Sequence, residues 1–199
     1  MNYVVVGLGN PGEEYIKTRH NVGRMVLEEI QNPKSKGQGW VLDKKYQSLV
    51  AQAKIGKNSV ILLQPETMMN NSGRALSKLI TSKKAATKLI VVHDDLDLPL
   101  GTVRVSFNRG SGGHRGIESI IRAVKTTEFS RVRVGISPST LKGKTKKPTG
   151  EEAINKFILG NFLPKDQLVF KKALKRGAEA VELIITFGPQ LAMNEINRG

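Results

Sequence analysis

Short apolar runs alternate with longer amphipathic stretches along the chain, and the two periodicities predict different elements. The runs Tyr3–Val6, Ser48–Ile55, Ser59–Leu63, Lys88–Val92, Thr102–Phe107 and Arg131–Ile136 are rich in Val and Ile and bounded by Gly, Pro, Asn or Asp, which predicts strands. Between them, Val22–Ile30, Ser72–Ile80 and Ile117–Val124 repeat apolar residues at helical spacing, with Leu76, Leu79 and Ile80 on one face. Residues 165–187 carry a longer helical pattern, setting Lys171, Lys172, Lys175 and Arg176 opposite Leu168, Leu174, Val181 and Ile184. Interleaved strands and helices predict an α/β fold. The short link Gly56-Lys57-Asn58 between two strand runs is a hairpin connection, so the expected sheet is mixed. The expectation is therefore one domain over residues 1–199, a twisted mixed β-sheet flanked by α-helices. Residues 137–150 are polar, basic and punctuated by Pro and Gly, which predicts a mobile loop and no domain boundary.

The chain of 199 residues is long enough for a sizeable core, and no uninterrupted apolar run reaches the length of a membrane span. It contains no cysteine and three histidines, which excludes disulfides and thiolate metal sites. The first strand begins within a residue or two of Met1, leaving no room for a signal or transit peptide. A soluble intracellular protein is expected. The formal charge of +15 comes from 32 Lys and Arg against 17 Asp and Glu. Solubility requires far less, so a polyanionic partner is implied, with nucleic acid first and a merely solvated lysine-rich surface second.

Gly7, Gly9 and Gly12 spell G-x-G-x-x-G after the apolar run Val4-Val5-Val6, yet the dinucleotide-binding motif needs a helix opening at the third glycine. Asn10-Pro11-Gly12 is a turn instead, so these glycines serve backbone geometry and present Asn10 at the carboxyl edge of a sheet. The turn leads to His20. A second segment, LIVVHDDLDLPLG, ends a strand in His93, Asp94, Asp95 and Asp97. An imidazole that donates one ring proton to Asp94 keeps its other nitrogen free to take a proton from water, the behaviour of a general base. The same acidic run can also be read as a surface turn or a Mg²⁺ site. Asn70 and Asn71 precede a predicted helix that Ser72 can cap, and Asn is both an ordinary cap and a neutral group able to hold a carbonyl or a water. The run FNRGSGGHRG opens another helix at His114-Arg115-Gly116, where exposed amides beside Arg109 and Arg115 suit a phosphate.

Taken together, GLGNPG with Tyr15 and TRHNVG, then MNNSG, HDDLDLPLG, GSGGHRG and RVRVGI, in that order, resemble the bacterial-type peptidyl-tRNA hydrolases over nearly the whole chain. The resemblance implies hydrolysis of the ester between a peptide and the 3′ end of its tRNA, with peptidyl-tRNA as partner. It implies no cofactor, no metal and no membrane, and a monomer in the cytoplasm of a bacterium or in a mitochondrion if eukaryotic. It makes His20 the catalytic base and Asp94 its orienting carboxylate. Asn10 and Asn70 become the amides that position substrate and water, and Tyr15 and Met69 line the site for the peptide and terminal nucleotide.

Two positions depart from the family pattern. Arg115 stands where an asparagine associated with substrate binding is usual, and is expected to hold a phosphate or the terminal ribose. Arg133 matches one of two cations that grip the tRNA 5′-phosphate, but Ser106 replaces the usual lysine, and Arg104 one pleat earlier is expected to compensate. The rival reading is a non-enzymatic RNA-binding protein on the same fold, like relatives that serve in intron splicing. A nucleotide-dependent oxidoreductase is disfavoured by the turn at Gly12.

Overall fold

The computed structural model describes residues 3–31, 39–138 and 145–198. Seven strands form one sheet in the order β2-β3-β4-β1-β5-β7-β6. They are β1 (Tyr3–Gly7), β2 (Val41–Asp43), β3 (Ser48–Ile55), β4 (Asn58–Pro65), β5 (Leu89–Pro99), β6 (Val103–Phe107) and β7 (Ser130–Ser137). The central pairs β4·β1, β1·β5 and β5·β7 are parallel, while β2·β3, β3·β4 and β6·β7 are antiparallel. The sheet is mixed, as the hairpin at residues 56–58 predicts.

Side-chain alternation explains why the central strands read as unbroken apolar runs. Val5 points to one layer with Val92, Val132 and Val134, while Val4 and Val6 point to the other with Leu89 and Val91. The first layer is closed by helices α1 (Val22–Ile30), α5 (Gln167–Phe187) and α6 (Pro189–Asn197), through Val26, Val181, Ile184 and Ala192. The second is closed by α2 (Lys83–Ala86), α3 (Arg115–Val124) and the 3₁₀ segment Met69–Ala75, through Ala86, Ile117, Ile120 and Leu76. Helix α4 (Glu151–Ile158) buries none of its residues completely.

The glycine run after β1 is a matter of clearance. A Cβ on Gly7 would come within 2.5 Å of the Gly23 carbonyl oxygen, and one on Gly23 within 2.5 Å of the Leu8 amide nitrogen. The end of β1 and the first turn of α1 thus touch backbone to backbone, and no cofactor has to be invoked for those glycines.

Two expectations need correction. The stretch Ser72–Ile80 is not a helix: a 3₁₀ segment runs from Met69 to Ala75, and Ser72 Oγ donates to the Met69 carbonyl instead of capping. Asn, Ser and Gly compete locally with helical hydrogen bonds, and Gly73 is pressed against Ser119 of α3, where a Cβ would meet the carbonyl oxygen at 2.2 Å. β5 continues past Val92 to Pro99: Asp94 and Asp95 pair with β7, and Asp95 and Asp97 meet Arg133 and Lys147. In the predicted loop 137–150, Ser137 closes β7, and Lys146 N donates to the Pro138 carbonyl at 2.8 Å. Residues 139–144 lie outside the described residues.

Among the parallel strands, β1 and β5 lie side by side with β4 beyond one and β7 beyond the other. The chain reverses its direction of progress across the sheet between β1 and β5, and the carboxyl ends at such a point leave a crevice. Asn10 follows β1, and His93 to Asp95 end the regular part of β5.

Candidate active site

A cleft of about 1040 Å³ opens at this crevice, and its lining includes Asn10, His20, Asp94 and His114. Along β5 successive side chains alternate, so Asp94 follows Val92 toward the α1 layer while His93 faces the α3 layer. His20 comes from the 3₁₀ turn Arg19–Asn21 that opens α1. Arg19 pins that turn by donating to the Phe157 carbonyl at 3.0 Å, with its guanidinium 4.3 Å from the Phe157 ring centre.

His20 Nδ1 lies 3.0 Å from each oxygen of Asp94. An ionised carboxylate only accepts, so Nδ1 carries the proton and Nε2 keeps its lone pair. His114 reaches the same carboxylate from the other layer. It caps α3, its Nδ1 accepting from Gly116 N at 3.1 Å and Ile117 N at 3.4 Å. The helix amides therefore force its proton onto Nε2, which donates to Asp94 Oδ1 at 3.0 Å. Burial works to raise the Asp94 carboxyl, and the two imidazoles outweigh it, holding the group well below the usual carboxylate range.

The third histidine is buried too. His93 Nδ1 donates to the Asp94 backbone carbonyl at 2.6 Å, and its Nε2 has no partner among the described residues. Burial, then the neighbouring His114 and Arg131, push its imidazole well below the ordinary histidine range, so it is neutral.

Asn10 Oδ1 accepts from Met69 N at 2.9 Å, joining the turn after β1 to the 3₁₀ segment. Met69 is buried and Asn70 is exposed, both on the cleft wall. Tyr15 sits in a separate 3₁₀ turn, Glu13–Tyr15, and is not among the cleft-lining residues.

A cationic floor continues along β7. Arg133 Nε donates to Asp95 Oδ2 at 2.7 Å. Arg131, two residues earlier on the same face, is 6% exposed and pairs in register with Ser106, whose buried Oγ has no partner among the described residues. Burial, then Arg133, then Arg109 lower the Arg131 guanidinium to about 10, against the opposing pull of Asp95. Arg104 lies directly opposite Arg133, and its Nη1 donates to the Asn197 carbonyl at the end of α6 at 2.6 Å. Arg115 is exposed on the rim and pairs with Glu151 of α4.

The run of acids does not gather around one point: Asp94 is taken by two histidines, Asp95 by Arg133 and Asp97 by Lys147. The grouping with metal-ligand composition among the described residues is His20, Asp94 and His114, whose donor atoms lie within 4.8 Å of one another. The sequence reading misses His114, His93 and Arg131 as members of the site. The available signal for His114 is its place immediately before a helical pattern, but histidine is not a usual cap, and nothing local links it to Asp94.

The family model described as peptidyl-tRNA hydrolase matches residues 4–199. The chain is similar to the peptidyl-tRNA hydrolase of Aquifex aeolicus, 43% identical over 98% of this chain and 96% of that one. It is similar to that of Carboxydothermus hydrogenoformans, 37% identical over 99% of each chain. Among solved structures, the peptidyl-tRNA hydrolase from Acinetobacter baumannii superposes with a TM-score of 0.85 at 30% identity, covering 98% of this chain and 94% of that one. Sequence over nearly its full length and fold agree, and the chain belongs to the peptidyl-tRNA hydrolase family.

Proposed function

We propose that the cleft hydrolyses the ester joining a peptide to the 3′ end of its tRNA, with His20 activating water. The observation that carries this reading is the His20–Asp94 contact, which leaves Nε2 as a lone-pair acceptor in a cleft shared with the Asn10 amide. Water gives a proton to His20 Nε2 as its oxygen attacks the ester carbonyl. Asp94 stabilises the imidazolium that forms, and the proton then passes to the departing ribose oxygen. The Nδ2 protons of Asn10 answer charge developing on the carbonyl oxygen, and Asn70 at the cleft edge helps to hold substrate and water. His114 donates to Asp94 Oδ1, an oxygen that His20 also contacts, and so restrains the carboxylate against turning away from His20. With His20 as the proton acceptor, the reaction as written draws on water as its second reactant and on side chains of the cleft.

Binding energy comes from the polyanion. Arg133, backed by the buried Arg131, faces a phosphate, and the charge of +15 attracts the rest of the tRNA. Arg104 holds the end of α6 beside this floor, and Arg115 on the rim contributes a guanidinium that a phosphate can draw from Glu151. Met69 and, more remotely, Tyr15 serve the peptide and terminal nucleotide. A single chain supplies every group named, which supports a monomer, and the bacterial relatives support a cytoplasmic setting. No described helix is long and apolar enough to cross a membrane. A purely RNA-binding role has no use for the buried imidazole–carboxylate pair. Release of N-acyl-amino acid from N-acyl-aminoacyl-tRNA tests the reading; an intact substrate after prolonged incubation, with tRNA still bound, overturns it in favour of the binding role.

A further inference from the structure

Asn21 stands at the N-cap of α1 but makes no side-chain bond to its own helix. An asparagine in that place ordinarily accepts from the amides of the first turn. Here the side chain is turned toward the β1 turn, where both ends of its amide are used. Asn10 N donates to Asn21 Oδ1 at 2.9 Å, and Asn21 Nδ2 donates to the Asn10 carbonyl at 2.9 Å. Arg24 Nη1 adds a second donor to that carbonyl at 3.1 Å. Both asparagines are buried, Asn21 at 2% and Asn10 at 5% exposure. Gly9 leaves the space: a Cβ there would lie 2.9 Å from Asn21 Cγ and 2.6 Å from Arg24 Cδ.

The backbone of Asn10 is therefore held on both its N–H and its carbonyl, and its side-chain Oδ1 is held by Met69 N. These contacts leave Nδ2 as the group without a partner among the described residues, in a residue that lines the cleft. We propose that Asn21 is a positioning residue whose amide, clamped to the Asn10 backbone, aims the Asn10 Nδ2 donor at the reacting carbonyl. The same residue follows His20 in sequence, so one rigid unit fixes the spacing between base and donor. The proposal rests on the reading of the cleft as a hydrolytic site in which Asn10 touches the substrate.

Asn21→Asp keeps the acceptor for Asn10 N but sets a carboxylate oxygen against the Asn10 carbonyl. A donor that matters only in the transition state lowers kcat and kcat/KM together when it is misaimed, here by about 10-fold or more. The deciding experiment is a double-mutant cycle with Asn10→Ala on peptidyl-tRNA hydrolysis, with thermal unfolding as the fold control. Where Asn21 acts through Asn10, Asn21→Asp changes kcat by less than about 2-fold once Asn10 is alanine. Equal losses in both backgrounds overturn the proposal and make Asn21 a structural residue, while the hydrolytic reading stands. Full activity of Asn10→Ala alone is a different failure, that of the reading on which the proposal rests. If Asn21→Asp does not fold, Arg24→Met removes the outer donor to the same carbonyl. A smaller loss that vanishes in the Asn10→Ala background supports the clamp, and an additive loss overturns it.

Discussion

His20 and His114 bind one carboxylate from opposite layers of the sheet, their ring centres 5.3 Å apart across Asp94. Each imidazole donates, so the Asp94 carboxylate is held ionised by hydrogen bonds from two rings. One of these rings points its second nitrogen at a helix terminus and has no lone pair to spare. The other keeps its Nε2 free of the helix, and this asymmetry is the reason His20 is the proposed base.

His20→Ala is expected to reduce hydrolysis of peptidyl-tRNA by about 10²–10⁴-fold, the usual cost of a general base, while tRNA affinity stays near the parent's. Single-turnover kinetics beside a filter-binding isotherm measure the two quantities, and turnover near the parent's rate contradicts the assignment.

Asp94→Asn keeps the shape of the side chain but places an N–H where two ring N–H groups need acceptors. Turnover should fall by about 10²-fold or more. Because the Asp94 carboxyl is held below its ordinary range, it stabilises the fold above about pH 4, and that contribution is lost as pH falls further. Acid unfolding of the variant should therefore start from a lower stability and show a shallower decline. Urea titrations at pH 7 and below pH 4 check this, and parallel declines contradict it.

His93 supplies a second pH dependence in a different window. Its folded-state imidazole resists protonation, so the unfolded chain binds that proton more readily once the pH drops below about 6.5. Stability from this group is present above that value and is lost on acidification. His93→Asn, which retains a donor for the Asp94 carbonyl, should flatten the fall in urea midpoint between pH 7.5 and pH 5.5. An unchanged slope contradicts a buried neutral imidazole at this position.

Arg131 is a buried cation among cations, and its removal should separate stability from binding. Arg131→Met relieves repulsion from Arg133 and Arg109 and should raise unfolding free energy by about 1 kcal/mol. The same change removes the charge behind the phosphate-facing Arg133 and should weaken tRNA binding, lowering the slope of log affinity against log salt by up to about one. An unaltered salt slope places Arg131 outside the RNA interface.

Arg115 is 62% exposed at its side chain and tied to the exposed Glu151, so Arg115→Ala should change stability by less than about 0.5 kcal/mol. Glu151→Gln releases the guanidinium and should tighten tRNA binding at moderate salt, whereas Arg115→Asn should weaken it without loss of turnover at saturating substrate. Kinetics at two salt concentrations measure all three; identical affinities across the set remove Arg115 from substrate recognition.

Much of the fold is legible along the chain because it depends on local period. Helix α1 is predicted at its observed bounds, and β3, β6 and the long helix α5 are predicted to within a few residues. Short elements escape: β2, α2 and α6 are held in place by docking, as when the Asn197 side chain pairs with both the N–H and the carbonyl of Val105 on the sheet edge. A run of acids at 94–97 reads as the end of a strand until cations from other segments are brought beside it.

The sequence by itself determined the mixed α/β layering, the basic charge that seeks a polyanion, and the candidates His20, Asp94 and Asn10, because residue type, period and turn chemistry are properties of neighbours in the chain. Only the tertiary structure decided that the Asp94 carboxylate is shared with His114, that Arg131 is buried with no ion pair among the described residues, and that Arg104 and Arg115 direct donors to α6 and Glu151. Tautomer, burial and ion pairing depend on which groups meet across 20 to more than 90 residues of sequence, as with His114 and Asp94 or Arg104 and Asn197. Those meetings are set by the packing of both layers on the sheet, which no local pattern encodes.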